Sequence, residues 1–197
     1  VDITDSSTLT TVFEQVAPEV VFHLAAQIDV RRSVDDPAFD ANVNVTGTIN
    51  VLEAARRAGA SRVVNTSTGG AIYGDASTAP TPETEPALPM AAYGQSKYCA
   101  ERYLGLEGVT LRLGNVYGPR QDPLGEAGVI AIFCGKLATG ERPQIFGDGT
   151  QTRDYVFVGD VVAAQLAAAR SQATGEINIG TGVETSVLDL VDVFREI

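Results

Sequence analysis

Three short predicted strands separated by helical stretches constrain the fold of this chain more than any other feature. They are Val20–Leu24, Arg62–Thr66 and Val109–Leu113. The first of them, Val20–Leu24, is hydrophobic without alternation. Such a strand is typical of parallel sheets, because helices cover both faces of the sheet. The order β-α-β-α-β therefore predicts an α/β fold with a doubly wound parallel sheet, and ligands are expected beyond the carboxyl ends of its strands.

Helix signals surround these strands. Asp5 and Ser6 can cap a helix that ends before Pro18, and Pro37 suits the first turn of a helix that runs to about Gly59. A third helix is expected to begin near residue 92. The later pattern predicts a helix over 129–139, a short strand near Ile145, a strand over 155–158, a helix over 161–170, a strand over 176–179 and a final helix from residue 186.

The beginning of a Rossmann-type sheet is not found in the sequence. Such a sheet opens with a strand, a glycine-rich turn and a helix that hold the pyrophosphate of a dinucleotide. No GxGxxG or GxxGxxG occurs here, residues 1–3 resemble the tail of a later strand, and the sequence stops inside a predicted helix. We therefore expect a sheet that lacks its first βα unit, in a chain truncated at both ends. Residues 1–125 are assigned to an incomplete Rossmann-type domain. Residues 126–197 are assigned mainly to a smaller substrate-binding lobe, with a segment of about 155–180 returning to the main domain.

Composition limits the partners and the compartment. The chain has 197 residues, 44% of them hydrophobic, which is enough for a sizeable core. Its 25 acidic and 14 basic residues give a formal charge of -11, which repels nucleic acids and anionic membranes, so neither is expected as a partner. No signal peptide or membrane-spanning run is found, and the two cysteines, Cys99 and Cys134, have no metal-ligand spacing. We expect free, buried thiols, no metal, and a cytoplasmic location.

The strongest chemical signal is the pair Tyr93 and Lys97. Residues four apart lie on one face of a helix, about one turn from each other. A neighbouring ammonium favours the phenolate form of a tyrosine, which turns a weak base with a pKa near 10 into a useful one. The alternative is an exposed Tyr/Lys pair on an ordinary helix.

A second signal lies at the end of the strand that begins at Arg62. Ser67 and Thr68 are followed by Gly69 and Gly70 at the edge where this fold places its ligands. A hydroxyl group there can bind a substrate oxygen. The alternative for Thr68 is a turn residue that bonds its own backbone.

Taken together, these motifs resemble the extended short-chain dehydrogenase/reductase family, in its NAD-dependent epimerase/dehydratase branch, and within it the UDP-glucose 4-epimerases. The resemblance spans almost the whole chain. Besides Asp2-Ile3, Ser67-Thr68 and the Tyr93/Lys97 pair, it rests on His23-Leu24-Ala25-Ala26, Asn44-Val45-Thr46-Gly47-Thr48, Tyr73-Gly74, the run of residues 111–120 and the run of residues 146–155.

The resemblance implies NAD as the cofactor. It places Asp2 and Ile3 beside the adenine, and it makes Thr68, Tyr93, Lys97 and Ser67 the catalytic residues. Further cofactor contacts are implied for Leu24, Ala25, Ala26, Gln27, Asn44, Ser67, Tyr93 and Lys97. Because the phosphate-binding turn is not found, we expect the chain alone to bind NAD weakly.

The resemblance also implies a UDP-sugar substrate. Asn115 and Arg153 would contact the diphosphate, Val129 and Ile145 would lie near the uracil, and Thr68 would contact the sugar. Arginine suits this role because its planar fork grips phosphate oxygens. The alternative for Arg153 is a salt bridge with an acidic neighbour, Asp154 or Asp160. The single histidine, His23, is interpreted as structural. A homodimer through helices at about 42–58 and 92–104 is expected.

The implied reaction interconverts UDP-glucose and UDP-galactose by transient oxidation at the sugar C4. Family members that act as 4,6-dehydratases carry Asp-Glu directly after the active-site threonine, where this chain has Gly69 and Gly70. UDP-glucuronate decarboxylases and epimerases of N-acetylated or uronic sugars stay open as alternatives. So does a Rossmann-like binding protein without catalysis, although Thr68, Tyr93 and Lys97 speak against it.

Overall fold

The computed structural model describes residues 1–104, 108–123 and 128–196. In chain order its elements are α1 (Ser6–Val16), β1 (Val20–His23), α2 (Val30–Asp35), α3 (Pro37–Ala41), a π-helical turn (Asn42–Thr46), α4 (Gly47–Ala58), β2 (Arg62–Thr68), α5 (Gly69–Ile72), α6 (Ala92–Leu104), β3 (Val109–Leu113), β4 (Asn115–Tyr117), α7 (Val129–Ala138), β5 (Thr152–Arg153), β6 (Tyr155–Phe157), α8 (Val158–Arg170), β7 (Gly175–Ile179), β8 (Thr185–Ser186) and α9 (Val187–Arg195).

The main sheet has four strands in the order β1-β2-β3-β7, and all neighbours are parallel. The parallel α/β prediction is therefore confirmed. Two smaller pairs lie outside this sheet: β4 pairs with β6 in parallel, and β5 pairs with β8 in antiparallel fashion. Helix α6 contacts β2 and β3, and α8 contacts the same two strands.

The two faces of the main sheet differ in chemistry, because successive side chains of a strand point to opposite faces. On the α8 face, Val64 and Leu111 are buried with Ala168 in one apolar cluster. The opposite face is polar toward the carboxyl ends of β2 and β3, where the Asn65 amide donates to Thr110 Oγ1 at 3.2 Å. The candidate site lies at the carboxyl end of this polar face, next to α6.

A second apolar cluster joins α1, β1 and α4 through Leu9, Val21 and Val51. The expected cap of α1 is confirmed, since the Asp5 carboxylate accepts hydrogen bonds from the backbone N–H groups of residues 7 and 8. The expected helix from Pro37 to Gly59 is present as α3, the π-helical turn and α4. It ends at Gly59, which has a left-handed φ of 75°.

Two strand predictions were wrong. Residues 1–3 do not form a strand, because Asp2 accepts the backbone N–H of Thr4 at 2.8 Å and so turns the chain, while Ile3 packs against Gly47. Residues 141–146, around Ile145, have no regular structure. Glycines 147 and 149, both with left-handed φ, follow directly and interrupt an extended chain.

Other boundaries need smaller corrections. Helix α8 begins at Val158, earlier than expected, and α9 extends to Arg195, while Ile197 lies outside the described residues. The proposed domain boundary at 125 and 126 also lies outside them, so that division stays a prediction. Cys99 and Cys134 are free, as expected, but they are exposed rather than buried. In the described parts of the chain, no helix is long and apolar enough to span a bilayer.

His23 illustrates the polar face of the sheet. Its Nε2 lies 2.9 Å from Thr48 Oγ1, and the Thr48 hydroxyl itself donates to Asn44 O at 2.6 Å. Because that single hydroxyl proton is used, the His23 Nε2–H must donate, which fixes the neutral tautomer. Burial, with a smaller contribution from the charge of Lys97, lowers the pKa of His23 from 6.5 to about 4.

We predict that His23 makes the chain acid-sensitive. The unfolded state takes up the histidine proton near pH 6.5, but the folded state does so near pH 4. Stability is therefore fully present above pH 6.5 and is lost as pH falls toward 4. Relative to His23→Gln, wild type should lose about 2 kcal/mol of unfolding free energy between pH 7.5 and 5, measured by urea denaturation. A constant difference between the two proteins across this range would contradict the prediction.

Candidate active site

Tyr93 and Lys97 lie in the first half of α6 and reach toward the carboxyl end of β2. The Lys97 ammonium donates to Thr66 O at 2.7 Å, and the lysine is 5% exposed. The Tyr93 backbone N–H donates to Ser33 Oγ at 3.1 Å, which holds the start of α6 against α2. The two side chains also share one face of the helix, as their spacing predicts.

Close packing at Gly94 brings Tyr93 to the end of the sheet. A Cβ atom at this position would collide with Ala71 O of α5. Only glycine lets the start of α6 approach α5, which directly follows Thr68, so closely. The Tyr93 and Thr68 side chains interact as a result.

The electrostatics of Tyr93 differ from the sequence-based expectation. Burial raises its pKa above 10, the hydrogen bond with Thr68 opposes this, and the negative charge of Asp40 raises it further. In the protein alone, Tyr93 is therefore a phenol at neutral pH. Lys97 does not produce the expected lowering, and a further positive charge is needed to favour the phenolate.

Lys97 is itself shifted. Burial lowers its pKa from 10.5 to about 8, while the charges of Glu101 and Asp40 act in the opposite direction. A lysine with a pKa this close to neutrality still carries its charge at pH 7, yet can exchange its proton readily. Buried, strongly shifted groups of this kind are typical of functional sites.

Ser67 and Thr68 end β2 beside this pair. The Ser67 hydroxyl is buried and has no hydrogen-bond partner among the described residues. Thr68 is half-buried and precedes Gly69. Both hydroxyl groups therefore lie where the sequence placed them, at the carboxyl edge of the sheet.

The segment after β1 runs beside α6. Leu24 and Ala25 are exposed, Ala26 is half-buried and Gln27 is buried. The Gln27 backbone N–H donates to Asn44 Oδ1 at 2.9 Å, and Asn44 Nδ2 donates back to Gln27 O at 3.0 Å. Asn44 therefore fixes the shape of this segment.

Asp2 and Ile3 occupy a separate position beside α4. Ile3 O accepts a hydrogen bond from Asn50 at 2.9 Å, and its side chain is part of the α1–β1–α4 packing. Asp2 is exposed. Their proposed contact with adenine stays a prediction.

A cavity of about 410 Å³ opens next to Thr68, at the carboxyl ends of β2, β3 and β7. Gly69 and Gly70 form part of its wall, together with Asn115 of β4 and Arg153 of β5. The structure thus brings the two predicted diphosphate contacts to one cavity, which begins at Gly69, directly after Thr68. The side chains of Tyr93 and Lys97 do not line it.

The cation of Arg153 is available to this cavity. Its guanidinium donates to Thr152 O at 2.7 Å, and the described residues include no ion pair with Asp154 or Asp160. The Asp154 carboxylate instead accepts from Thr181 and Gly182. The salt-bridge alternative for Arg153 is therefore wrong.

The two predicted uracil contacts do not line the cavity. Val129 is the first residue of α7, and Ile145 lies against Gly149 and is half-buried. The structure therefore does not bring them together with Asn115 and Arg153, and their contact with a base stays a prediction.

A buried polar network, which the sequence interpretation missed, lies between α6 and the cavity. Glu101 of α6 and Arg112 of β3 form an ion pair at 2.7 Å with side chains that are at most 5% exposed. Arg112 also donates to the Tyr73 hydroxyl at 2.9 Å, and that hydroxyl donates to Asn178 Oδ1 at 2.8 Å. Burial alone would lower the pKa of Arg112, but its bonds with Glu101 and Tyr73 raise it above its ordinary value.

The network extends to the wall of the cavity. Asn178 of β7 donates its backbone N–H to Glu83 and its side-chain amide to Thr81 O. Tyr73, Thr81, Arg112 and Asn178 all line the cavity. The proline-rich segment that follows α5 is thereby tied to the sheet.

Comparison with known proteins decides the family. The NAD dependent epimerase/dehydratase family model matches residues 1–180. The chain belongs to this family. It is 51% identical to the UDP-glucose 4-epimerase of Mycolicibacterium smegmatis, over 96% of this chain and 63% of the relative. It is 50% identical to a putative UDP-glucose 4-epimerase of Methanocaldococcus jannaschii, over 90% of this chain and 60% of the relative.

Solved structures of epimerases have the same fold. The UDP-glucose 4-epimerase of Thermotoga maritima with UDP-glucose has a TM-score of 0.95 at 45% identity, and this chain covers 66% of it. The UDP-glucose 4-epimerase of Thermus thermophilus in complex with NAD has a TM-score of 0.91 at 41% identity, with 67% covered. Both comparisons cover 100% of this chain. The chain thus spans about two thirds of these epimerase/dehydratase structures and a little less of the curated relatives.

The position of Glu101 in the sequence could have predicted the buried ion pair with Arg112. Glu101 lies four residues after Lys97 and eight after Tyr93, so it continues the same helix face. A carboxylate on the buried face requires a cationic partner, and Arg112 is the cation of strand Val109–Leu113. Among the described residues, no cluster of three or more His, Cys, Asp or Glu side chains could hold a metal ion.

We predict that the Tyr73 hydroxyl stabilises the chain through this network. Tyr73→Phe leaves one donor of Arg112 and the Asn178 amide oxygen without their partner, which should cost about 1–3 kcal/mol of unfolding free energy. Tyr117→Phe is the matched control. Its ring contacts Phe157, and its hydroxyl has no hydrogen bond among the described residues. Equal urea midpoints for Tyr73→Phe and wild type would contradict the prediction.

Proposed function

We propose that this chain forms the larger part of an NAD-dependent UDP-glucose 4-epimerase, which interconverts UDP-glucose and UDP-galactose. One observation carries the proposal. Tyr93 interacts with Thr68, and Lys97 bonds Thr66 O of the same strand. Directly after Thr68 a cavity begins, whose wall at Gly69 and Gly70 offers no side chain that can transfer a proton. Relatives at about 50% identity bear the name UDP-glucose 4-epimerase, which supports the same conclusion.

The two glycines favour epimerisation over dehydration. A Cβ atom at Gly69 would make ordinary contacts of 3.5 Å or more, and at Gly70 its nearest neighbour would lie at 3.9 Å. A Cβ atom would therefore fit at both positions, so packing against the Cβ does not demand glycine here. A dehydratase needs an acid and a base to eliminate the 6-hydroxyl, and these positions supply neither.

Asn115 and Arg153 are proposed to bind the diphosphate of the substrate. Both line the cavity, and Arg153 has no ion pair among the described residues. The net charge of -11 repels phosphates at long range, so binding depends on local donors such as this guanidinium.

The residues beside Tyr93 fit NAD as the cofactor. The Ser67 hydroxyl is buried without a partner among the described residues, and the Lys97 ammonium has two donors left after its bond to Thr66 O. The exposed segment at Leu24 and Ala25 lies at the carboxyl edge of β1, where this fold binds dinucleotides. NAD, when bound, reversibly accepts the hydride from the sugar C4. Weak NAD binding by the chain alone stays a prediction.

Tyr93 is proposed as the acid/base residue. As a phenolate it accepts the proton of the sugar 4-hydroxyl, and as a phenol it returns that proton after the sugar has turned over. Thr68 binds the same oxygen and orients it, while Lys97 stabilises the phenolate and bonds the cofactor ribose. The raised pKa of Tyr93 in the protein alone means that a bound cation must complete the base.

The decisive experiment is an epimerase assay. Because the chain spans 63% of its Mycolicibacterium relative, the test protein is a chimaera in which this chain replaces the matching segment of that relative. We expect conversion of UDP-galactose to UDP-glucose without added reductant, followed by NMR of the sugar. Tyr93→Phe should lower kcat by about 100-fold or more, since the acid/base residue is lost.

Tyr98→Phe is the matched control, because Tyr98 lies on the same helix as Tyr93 and borders a different depression, with Leu88 and Gln95. It should keep at least half of the activity. A 4-keto-6-deoxy sugar would identify a dehydratase instead, and release of carbon dioxide from UDP-glucuronate would identify a decarboxylase. Unchanged turnover in Tyr93→Phe would remove the proposed base.

We also propose a homodimer and a cytoplasmic location. Helices α4 and α6 pack against each other, and Tyr103 on α6 is 57% exposed, which supports a helical interface. Two exposed, free cysteines favour a reducing compartment. The chimaera should have the mass of a dimer in light scattering, and Tyr103→Lys should shift it toward the monomer. A monomer mass for the unsubstituted protein would reject the dimer.

A further inference from the structure

Asp40 is a buried acidic residue that the proposed chemistry does not use. It lies on α3, is 1% exposed, and its Oδ2 has no hydrogen-bond partner among the described residues. An ionised carboxylate in this position is costly, because burial removes its hydration. Buried polar atoms usually have hydrogen-bond partners, so the unpartnered Oδ2 of Asp40 needs an explanation.

The other carboxylate oxygen ties three segments together. Asp40 Oδ1 accepts from the Gln27 side-chain amide at 2.8 Å and from the Asn44 amide at 3.1 Å. The same Asn44 amide lies 3.0 Å from Ser96 Oγ, and the Ser96 hydroxyl donates to Tyr93 O at 3.0 Å. A short path of hydrogen bonds therefore runs from Asp40 to the catalytic helix.

The remaining charged groups near this site are already engaged or lie further along the fold. On α6, Glu101 is paired with Arg112. On α2, the Arg32 guanidinium stacks on the Phe39 ring at 3.9 Å. From β1, the neutral imidazole of His23 bonds Thr48. Within the described residues, Asp40 is therefore the carboxylate without a cationic partner that acts on both members of the catalytic pair.

We propose that Asp40 is a positioning residue of the candidate active site: its carboxylate holds the segment after β1 against α6 and places a negative charge behind Tyr93 and Lys97. This charge keeps the Lys97 ammonium protonated and disfavours the Tyr93 phenolate. The base then forms when a positively charged group enters the site. The catalytic meaning rests on the proposed function, but the electrostatic effect can be measured without turnover.

The test uses Asp40→Asn in the chain itself. Asparagine keeps an oxygen that can accept from Gln27 and Asn44, so the variant removes the charge and retains the hydrogen bonds. The chain contains two lysines, Lys97 and Lys136, so lysine-selective NMR labelling resolves each of them. We expect the pKa of Lys97, about 8 in wild type, to fall by about 0.5 or more.

Asp35→Asn is the matched control. Asp35 is exposed at the end of α2, so its loss changes the net charge equally but leaves the pKa of Lys97 within about 0.2 of wild type, because solvent screens an exposed charge. The pKa of Tyr93, followed by labelled tyrosine, should also fall in Asp40→Asn and stay constant in Asp35→Asn. Equal values of both pKas in Asp40→Asn and wild type would overturn the proposal.

A measurement on wild type covers the case in which Asp40→Asn does not fold. The carboxyl carbon of Asp40 should show a chemical-shift step at the pH where Lys97 loses its proton, because the two charges interact. A flat response across that pH would also overturn the proposal. Neither result depends on epimerase activity, so failure here and failure of the turnover assay are distinguishable.

Discussion

The bond between the Lys97 ammonium and Thr66 O is the interaction on which the site depends. It fastens α6 to the strand that ends in Thr68, and it does so with a charged side chain that is buried. One helical turn later, Glu101 and Arg112 repeat the arrangement with a buried ion pair. Replacing either with apolar groups would preserve packing, but the polar bonds specify one orientation of α6, which is what acid/base geometry requires.

Much of the fold could be predicted because short strands rich in β-branched and aliphatic residues alternate with helical stretches. The run Val109–Leu113 was identified to the residue, and Gly59 marked the end of a long helix. The failures have physical causes. Isoleucine favours strands, so Ile145 was expected in one. Gly147 and Gly149 have left-handed φ and turn the chain, and residues 141–146 pair with no strand among the described residues. Asp2 was taken as strand, whereas its carboxylate closes a local turn.

The candidate site was predictable where spacing along one element determines it, and less so where distant segments meet. Tyr93 and Lys97 share a helix face, so their spacing of four residues is enough to predict that they lie close together. The hydrogen bond between Tyr73 and Asn178 joins residues 105 positions apart. No local sequence pattern predicts such a pair. Asn44 lies between these cases: its burial could be suspected from a polar residue on an apolar helix face, but its partner Gln27 could not be deduced.

Charge balance explains how a strongly acidic chain could host two anionic ligands. The field of the whole molecule opposes diphosphates, but it is screened beyond about 8 Å at physiological salt, while Arg153 acts at contact distance. Near Tyr93, a negative charge has a different effect, because it controls when the base forms. Asp40 disfavours the Tyr93 phenolate, so the base is weak until a cation is bound nearby. An acidic site of this kind would couple deprotonation of the sugar to the presence of the oxidised, positively charged form of the proposed cofactor.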